Sequence, residues 1–160
     1  MCPSETATPR KDTDVTEASS MTEVGTFVLE SAPTETQVVL GLHGTDYRLE
    51  LTPTVAPEDF PPLKSERNRR IRGVIQARAL KMHQASAGGR FIEPVHGRPR
   101  IVQGTVYAVD VENDRLLMDV VVPMWVSVES SVTGQFASDF SQGDMLNFYV
   151  ESDISFTPSA

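Results

Sequence analysis

The sequence has one cysteine, Cys2, so no internal disulfide can staple the fold and no pair of thiolates can hold a zinc ion. Among one tryptophan, three tyrosines and seven phenylalanines, Phe91 alone lies within the basic residues 64–100, which leaves few flat faces beside those cations on which bases could stack. No apolar run approaches the roughly 20 residues that a membrane helix needs. The opening MCPSETATPRKDTDVTEASS lacks the basic-then-apolar order of a signal peptide. The signatures HExxH, GxSxG, GxxxxGK[ST] and GxGxxG are all absent. These gaps remove the familiar zinc hydrolases, serine hydrolases and nucleotide loops. They set the expectation of a cytoplasmic chain with no membrane segment, no metal and no cofactor.

What is present is an uneven spread of charge. The formal net charge of −8 conceals a chain of −8 over residues 1–63, +8 over 64–100 and −8 over 101–160. The middle segment holds ten basic residues against two acidic ones. Such a segment can form a surface for phosphate or another acidic partner. It can also be compensated internally, since surface fields are screened over about 10 Å and one small domain brings all three segments close.

Residues 1–24 are rich in Ser, Thr, Glu and Asp, with Val15, Met21 and Val24 as the sizeable apolar residues. Such a stretch cannot bury enough surface to offset its ordering entropy, which predicts a disordered acidic and polar tail. Residues 25–160 read as a single β-rich domain. TFVLES (26–31) predicts a short strand. TQVVLGLHGTDYRLELT (36–52) predicts a hairpin, with Val38, Leu40 and Leu42 on one face, Tyr47, Leu49 and Leu51 on the return, and His43 to Asp46 as its turn. Four prolines over 53–70 and the charge run KSERNRR predict a long connection.

Residues 71–89 admit two readings. Ile71, Val74, Ile75, Ala79 and Met82 share a helical face, and Gly88–Gly89 would stop such a helix. Read as a strand, Ile71, Gly73, Ile75, Ala77 and Ala79 form one small apolar face. The strand is preferred, because Arg78 would sit in the middle of the helical face. Further strands are expected over 100–110, 116–122, 124–129 and 145–152, with Ile154 and Phe156 extending the last and one helical turn within 130–144. Seven to nine short, evenly spaced strands predict an all-β or mainly β fold. The preferred form is a small closed or partly open antiparallel barrel, OB-like among the options, with at most one short helix. Gly73 and Gly104, each inside a strand, suit the bends of a small barrel.

The segment FSQGDMLNFYV (140–150) resembles the Phe-x-x-Gly-Asp-x-apolar opening of late strands in small barrels, OB-like domains included. The span from Arg70 to Pro158 is also similar to a group of uncharacterised small bacterial β-barrel proteins, most visibly over GRFIEPVHGRPRIVQG (89–104). The resemblance implies a barrel and carries no activity with it.

GGRFIEPVHGRPR (88–100) is the most unusual text, with three glycines, three arginines, two prolines and a histidine. Gly88, Gly89 and Arg90 could form a nest of backbone N–H groups around an anion, and Arg90, Arg98 and Arg100 could add guanidinium forks. The competing reading is structural: the glycines turn the chain, Pro94 and Pro99 hold it extended, and Phe91, Ile92 and Val95 pin it to the core. His43, His83 and His96 are scattered; Glu93 and His96 have a helical spacing that the intervening Pro94 opposes. Asp110, Asp114 and Asp119 cluster about one hairpin as solvated carboxylates. The preferred role is therefore a non-catalytic binding or assembly module. Its basic 64–100 surface would meet an anionic ligand or a protein partner, a second copy included. The alternatives are an OB-like single-stranded nucleic-acid binder, disfavoured by the acidic total and the scarcity of aromatics, and an enzyme with a site assembled from dispersed His and carboxylates.

Overall fold

Residues 22–63, 65 and 67–159 are described by the computed structural model of the chain. The tail expected over 1–24 lies outside the described residues as far as Met21. Just ahead of the first strand, Glu23 accepts a hydrogen bond from the indole Nε1 of Trp125 at 2.8 Å.

The chain is mainly β. Its strands in order are β1 (Gly25–Leu29), β2 (Val38–Gly41), β3 (Arg48–Pro53), β4 (Arg70–Ala79), β5 (His83–Gln84) and β6 (Phe91–Glu93). Then follow β7 (His96–Gly97), β8 (Ile101–Asp110), β9 (Arg115–Asp119), β10 (Pro123–Val128), β11 (Met145–Tyr149) and β12 (Ser155–Ser159). Among the described residues the one α-helix is the four-residue α1 (Ser130–Thr133), which closes on Gly134 in the left-handed region and lies within the 130–144 stretch expected to hold a helical turn. The twelve strands of the described residues belong to one hydrogen-bonded sheet. The excess over the expected seven to nine comes from β5, β6 and β7, which are two or three residues long and too short to show a period.

The long strand β4 organises this sheet. Its burial alternates strictly, with Ile71, Gly73, Ile75, Ala77 and Ala79 inward and Arg70, Arg72, Gln76 and Arg78 outward. The strand reading of this segment therefore holds, and the helical one does not. The first half of β4 pairs with β1, and β12 lies along its other edge. Pairings β1–β2, β2–β3 and β3–β12 complete a ring of five strands. From Gln76 onward β4 pairs in parallel with β10, which leads through β9 and β8 to β11. A bridge between Ala79 and Val150 brings that second group back to β4. The pairs β3–β12, β4–β10 and β3–β7 are parallel and the rest antiparallel.

One continuous set of buried side chains runs through both groups. At its first end the ring of Phe27 meets that of Phe156 edge-on at 5.5 Å, and Phe60 stacks on the same ring at 6.4 Å. Phe60 and Leu63 belong to the proline-rich connection, so that connection is packed against the core as well as spanning it. The strand glycines make room for these contacts. A Cβ at Gly73 would stand 2.4 Å from Cζ of Phe156 and 2.5 Å from the carbonyl oxygen of Thr157. Only a residue without a side chain lets β12 lie so close.

Candidate anion-binding surface

The segment 88–100 straps the two halves of the sheet together. β6 pairs with β8 in the second group, while β7 pairs with β3 in the ring. The Ile92 N–H donates to the hydroxyl of Tyr47 at 3.2 Å, and the Arg48 N–H donates to the Val95 carbonyl at 2.9 Å. Gly88 and Gly89 have φ of +102° and +68°, which a side chain would strain. The carbonyls of Ala87 and Gly89 accept from the side-chain amide of Gln103 at 2.9 and 2.7 Å. Gln103 is buried, and its own Oε1 accepts from Asn147. This turn thus uses its carbonyls to satisfy a buried amide.

The three arginines of that segment have separate surroundings. Arg90 forms an ion pair with Asp119. Arg98 donates to the Ser152 carbonyl at 2.6 Å and to the Thr52 hydroxyl at 3.5 Å. Arg100 stands exposed beside Tyr149, and its side chain has no partner among the described residues. Arg98 and Arg100 border one shallow cleft, and Arg90 lies outside it. Internal compensation also reaches Arg78, which faces Asp153 at 2.9 Å, Glu151 at 3.6 Å and Glu129 at 4.0 Å. All four of these carboxylates belong to the acidic C-terminal third.

The basic residues that gather are others. A cleft of about 430 Å³ is lined by Val28, His43, Arg67, Asn68, Arg69 and Arg70. No carboxylate, hydroxyl or thiol is among these residues. The backbone holds it open. The Asn68 N–H donates to the Ser65 hydroxyl at 3.0 Å, turning the chain just before β4. The Leu29 N–H donates to the Arg69 carbonyl at 2.9 Å, and Arg69 Nε returns a 2.8 Å bond to the Leu29 carbonyl. On the opposite wall the β2–β3 turn presents His43, with Gly44 at φ +80° and Thr45 bonded back to the Leu42 carbonyl. Arg67 and Arg70 make no ion pair among the described residues, and both are exposed. Arg72 continues their row one pleat further along β4, between Thr26 and Ser159. Outward residues two apart on a strand lie about 7 Å from each other, so these cations form a line that one extended anion could span.

Read from sequence, KSERNRR is a charge run closing a linker and His43 is a turn residue. The readable sign of the row was the period of β4 itself, which places Arg70 and Arg72 on the same outward face. The meeting with His43 depends on the pairing of β1 with β4, which no local pattern carries.

A second groove of about 430 Å³ lies over β4, β10 and β12, lined by Gln76, Arg78, Trp125, Ser127 and Ser155 among others. The Arg115 guanidinium lies 3.7 Å above the Trp125 ring and donates through Nε to Asp110 at 2.9 Å. The Asp110 carboxyl is held below its ordinary value by the Asn113 side chain and by Arg115. With Arg78 and Trp125 also bonded to carboxylates, the charged groups of this groove are spent on one another.

His83 and His96 lie on β5 and β7, and His96 Nε2 is 2.9 Å from the Asp46 carbonyl. Among the described residues no group of three His, Cys, Asp or Glu side chains could hold a metal ion, and no helix is long and apolar enough to cross a membrane. No protein-family model, curated protein or solved structure matches the chain.

Proposed function

We propose that the chain is a non-catalytic binding or assembly module whose basic 64–100 segment takes an anionic ligand or the acidic surface of a protein partner. The observation that carries this reading is the cleft lined by Arg67, Arg69, Arg70 and His43, whose described lining residues include no carboxylate. The exposed guanidinium groups of Arg67 and Arg70, which make no ion pair among the described residues, can each engage an oxyanion through two parallel N–H bonds. That no hydroxyl, thiol or carboxylate is among the described lining residues supports binding over catalysis. The single cysteine suits a reducing compartment and supports a cytoplasmic role.

A second reading draws on the ring of five strands. What supports it is the ring order β1–β2–β3–β12–β4, which contains one parallel pair. In that reading the ligand is a single strand whose phosphates follow Arg70 and Arg72. Trp125, already covered by Arg115, is poorly placed to stack a base.

Titration calorimetry at low salt, with pyrophosphate, a labelled oligothymidylate and a poly-glutamate peptide as probes, separates these cases. Binding of any of them that falls about tenfold in Arg67→Ala/Arg70→Ala, and is unchanged in Arg78→Ala, supports the site; the probe preferred identifies the class. No heat with any probe at low salt overturns the reading.

A further inference from the structure

The ends of β6, β8 and β11 leave an unusual patch, none of whose residues lines the basic cleft. Tyr149 is 53% exposed, Val95 43% and Leu80 41%, three of the few large apolar side chains so open among the described residues. Two shallow clefts share Tyr149 and Arg100 as a common ridge. Glu93, Pro94, Val95 and Ile101 line one of them, and Leu80 and Pro99 help line the other.

The backbone beneath this ridge is fixed. The Arg100 N–H donates to the Glu93 carbonyl at 2.8 Å, and the Arg100 carbonyl accepts from Val150 at 2.9 Å. The Tyr149 carbonyl accepts from Leu80 at 2.8 Å. Tyrosine and arginine on a rigid base, flanked by aliphatics, are the composition of an interface centre. The side chains of Glu93 and Arg100 border the same cleft, yet neither makes an ion pair among the described residues.

That pair of unmatched opposite charges selects the partner. A uniformly acidic partner would satisfy Arg100 and bury Glu93 against like charge, and a basic one would do the reverse; either leaves a desolvated charge unmatched. With Arg98 beside them tied to the Ser152 carbonyl, a patch with one unmatched charge of each sign is complementary to itself. In a two-fold interface each copy meets the same surface reversed, so Glu93 of one faces Arg100 of the other. We infer that this face docks a second copy of the chain, with Tyr149 packing against Tyr149 and Val95 across the two-fold axis. The inference names a partner for the assembly side of the proposed role, and its failure would leave the anion cleft untouched.

Sedimentation velocity of the full chain across the micromolar range tests it, with circular dichroism to check that each variant folds. The expected result is a reversible monomer–dimer equilibrium. Tyr149→Ser, Glu93→Arg and Arg100→Glu each weaken it about tenfold, while the double exchange Glu93→Arg/Arg100→Glu restores it. Arg67→Ala/Arg70→Ala leaves it unchanged, which separates this face from the basic cleft. A monomer at every concentration overturns the inference. So does a dimer that all three single variants leave intact, or a double exchange that dissociates as fully as either single one.

Discussion

Gln135 and Met82 are joined edge to edge: the Met82 N–H donates to Gln135 Oε1 at 2.8 Å, and Gln135 Nε2 donates to the Met82 carbonyl at 2.9 Å. A side-chain amide here stands in for a strand. It closes the chain where β4 has ended and β5 has not begun, at a residue that is buried. Gln135→Ala leaves both backbone groups of Met82 without a partner. The expected loss is about 2–3 kcal/mol in urea unfolding, from desolvation left uncompensated. Gln135→Asn, one methylene short of the same reach, should lose nearly as much. An unchanged midpoint in both would show that water replaces the amide without cost.

The glycine at 73 tests close approach. Gly73→Ala puts a methyl against Phe156 and the Thr157 carbonyl at once, at 2.4 and 2.5 Å. Overpacking of this kind costs about 1–3 kcal/mol. Shortening Phe156 to Leu should not rescue the variant, because the carbonyl oxygen belongs to the backbone of β12 and cannot be trimmed. Full recovery in Gly73→Ala/Phe156→Leu would mean that the ring alone sets the limit.

Much of this architecture can be read along the chain, and the reason is period. Ile71 to Ala79 alternate strictly, Val38 and Leu40 answer Leu49 and Leu51 across a glycine turn, and Leu146 and Phe148 face inward together. Pairing partners carry no such mark. Nothing local to Trp125 announces that β10 lies parallel to Gln76, or that Val28 comes to rest beside Arg70. The same division governs the candidate site. Arg90 and Arg98 stand out in the sequence because glycine and proline surround them, yet those neighbours mark a strap between strands. Arg67 and Arg70 look like ordinary linker charges, and only the closure of β1 on β4 sets them opposite His43.

Asp110 gives a pH signature. The Asn113 side-chain amide and the Arg115 guanidinium both donate to Oδ2 at 2.9 Å, and they hold the carboxyl below the ordinary aspartate value. Because the folded-state value is depressed, the stabilisation is complete above the unfolded value near ~3.9. It is lost as pH falls through the folded one. A carbon-detected NMR titration should place the Asp110 midpoint below that of an unstructured aspartate, and Asn113→Ala should move it upward. Arg115→Lys should keep part of the shift yet free the Trp125 ring, seen as a change in indole emission. A midpoint at the ordinary value in the unaltered protein would remove this account.

The last contrast sets the two kinds of arginine against each other. Arg98 is half-buried, and its guanidinium ties the strap to the turn before β12 through the Ser152 carbonyl at 2.6 Å. A charged donor to a carbonyl contributes about 1.5–3 kcal/mol, so Arg98→Ala should lower the unfolding midpoint clearly. It should leave pyrophosphate affinity as it was, since the group is already committed inside the molecule. Arg67 is exposed and holds no ion pair among the described residues, so Arg67→Ala should do the opposite: little change in stability, with affinity reduced and the salt dependence of polyanion binding shallower by about one unit of slope. Guanidine on a strap and guanidine on a cleft rim thus separate along two independent measurements. Loss of affinity in Arg98→Ala at undiminished stability would reassign the anion site to the strap.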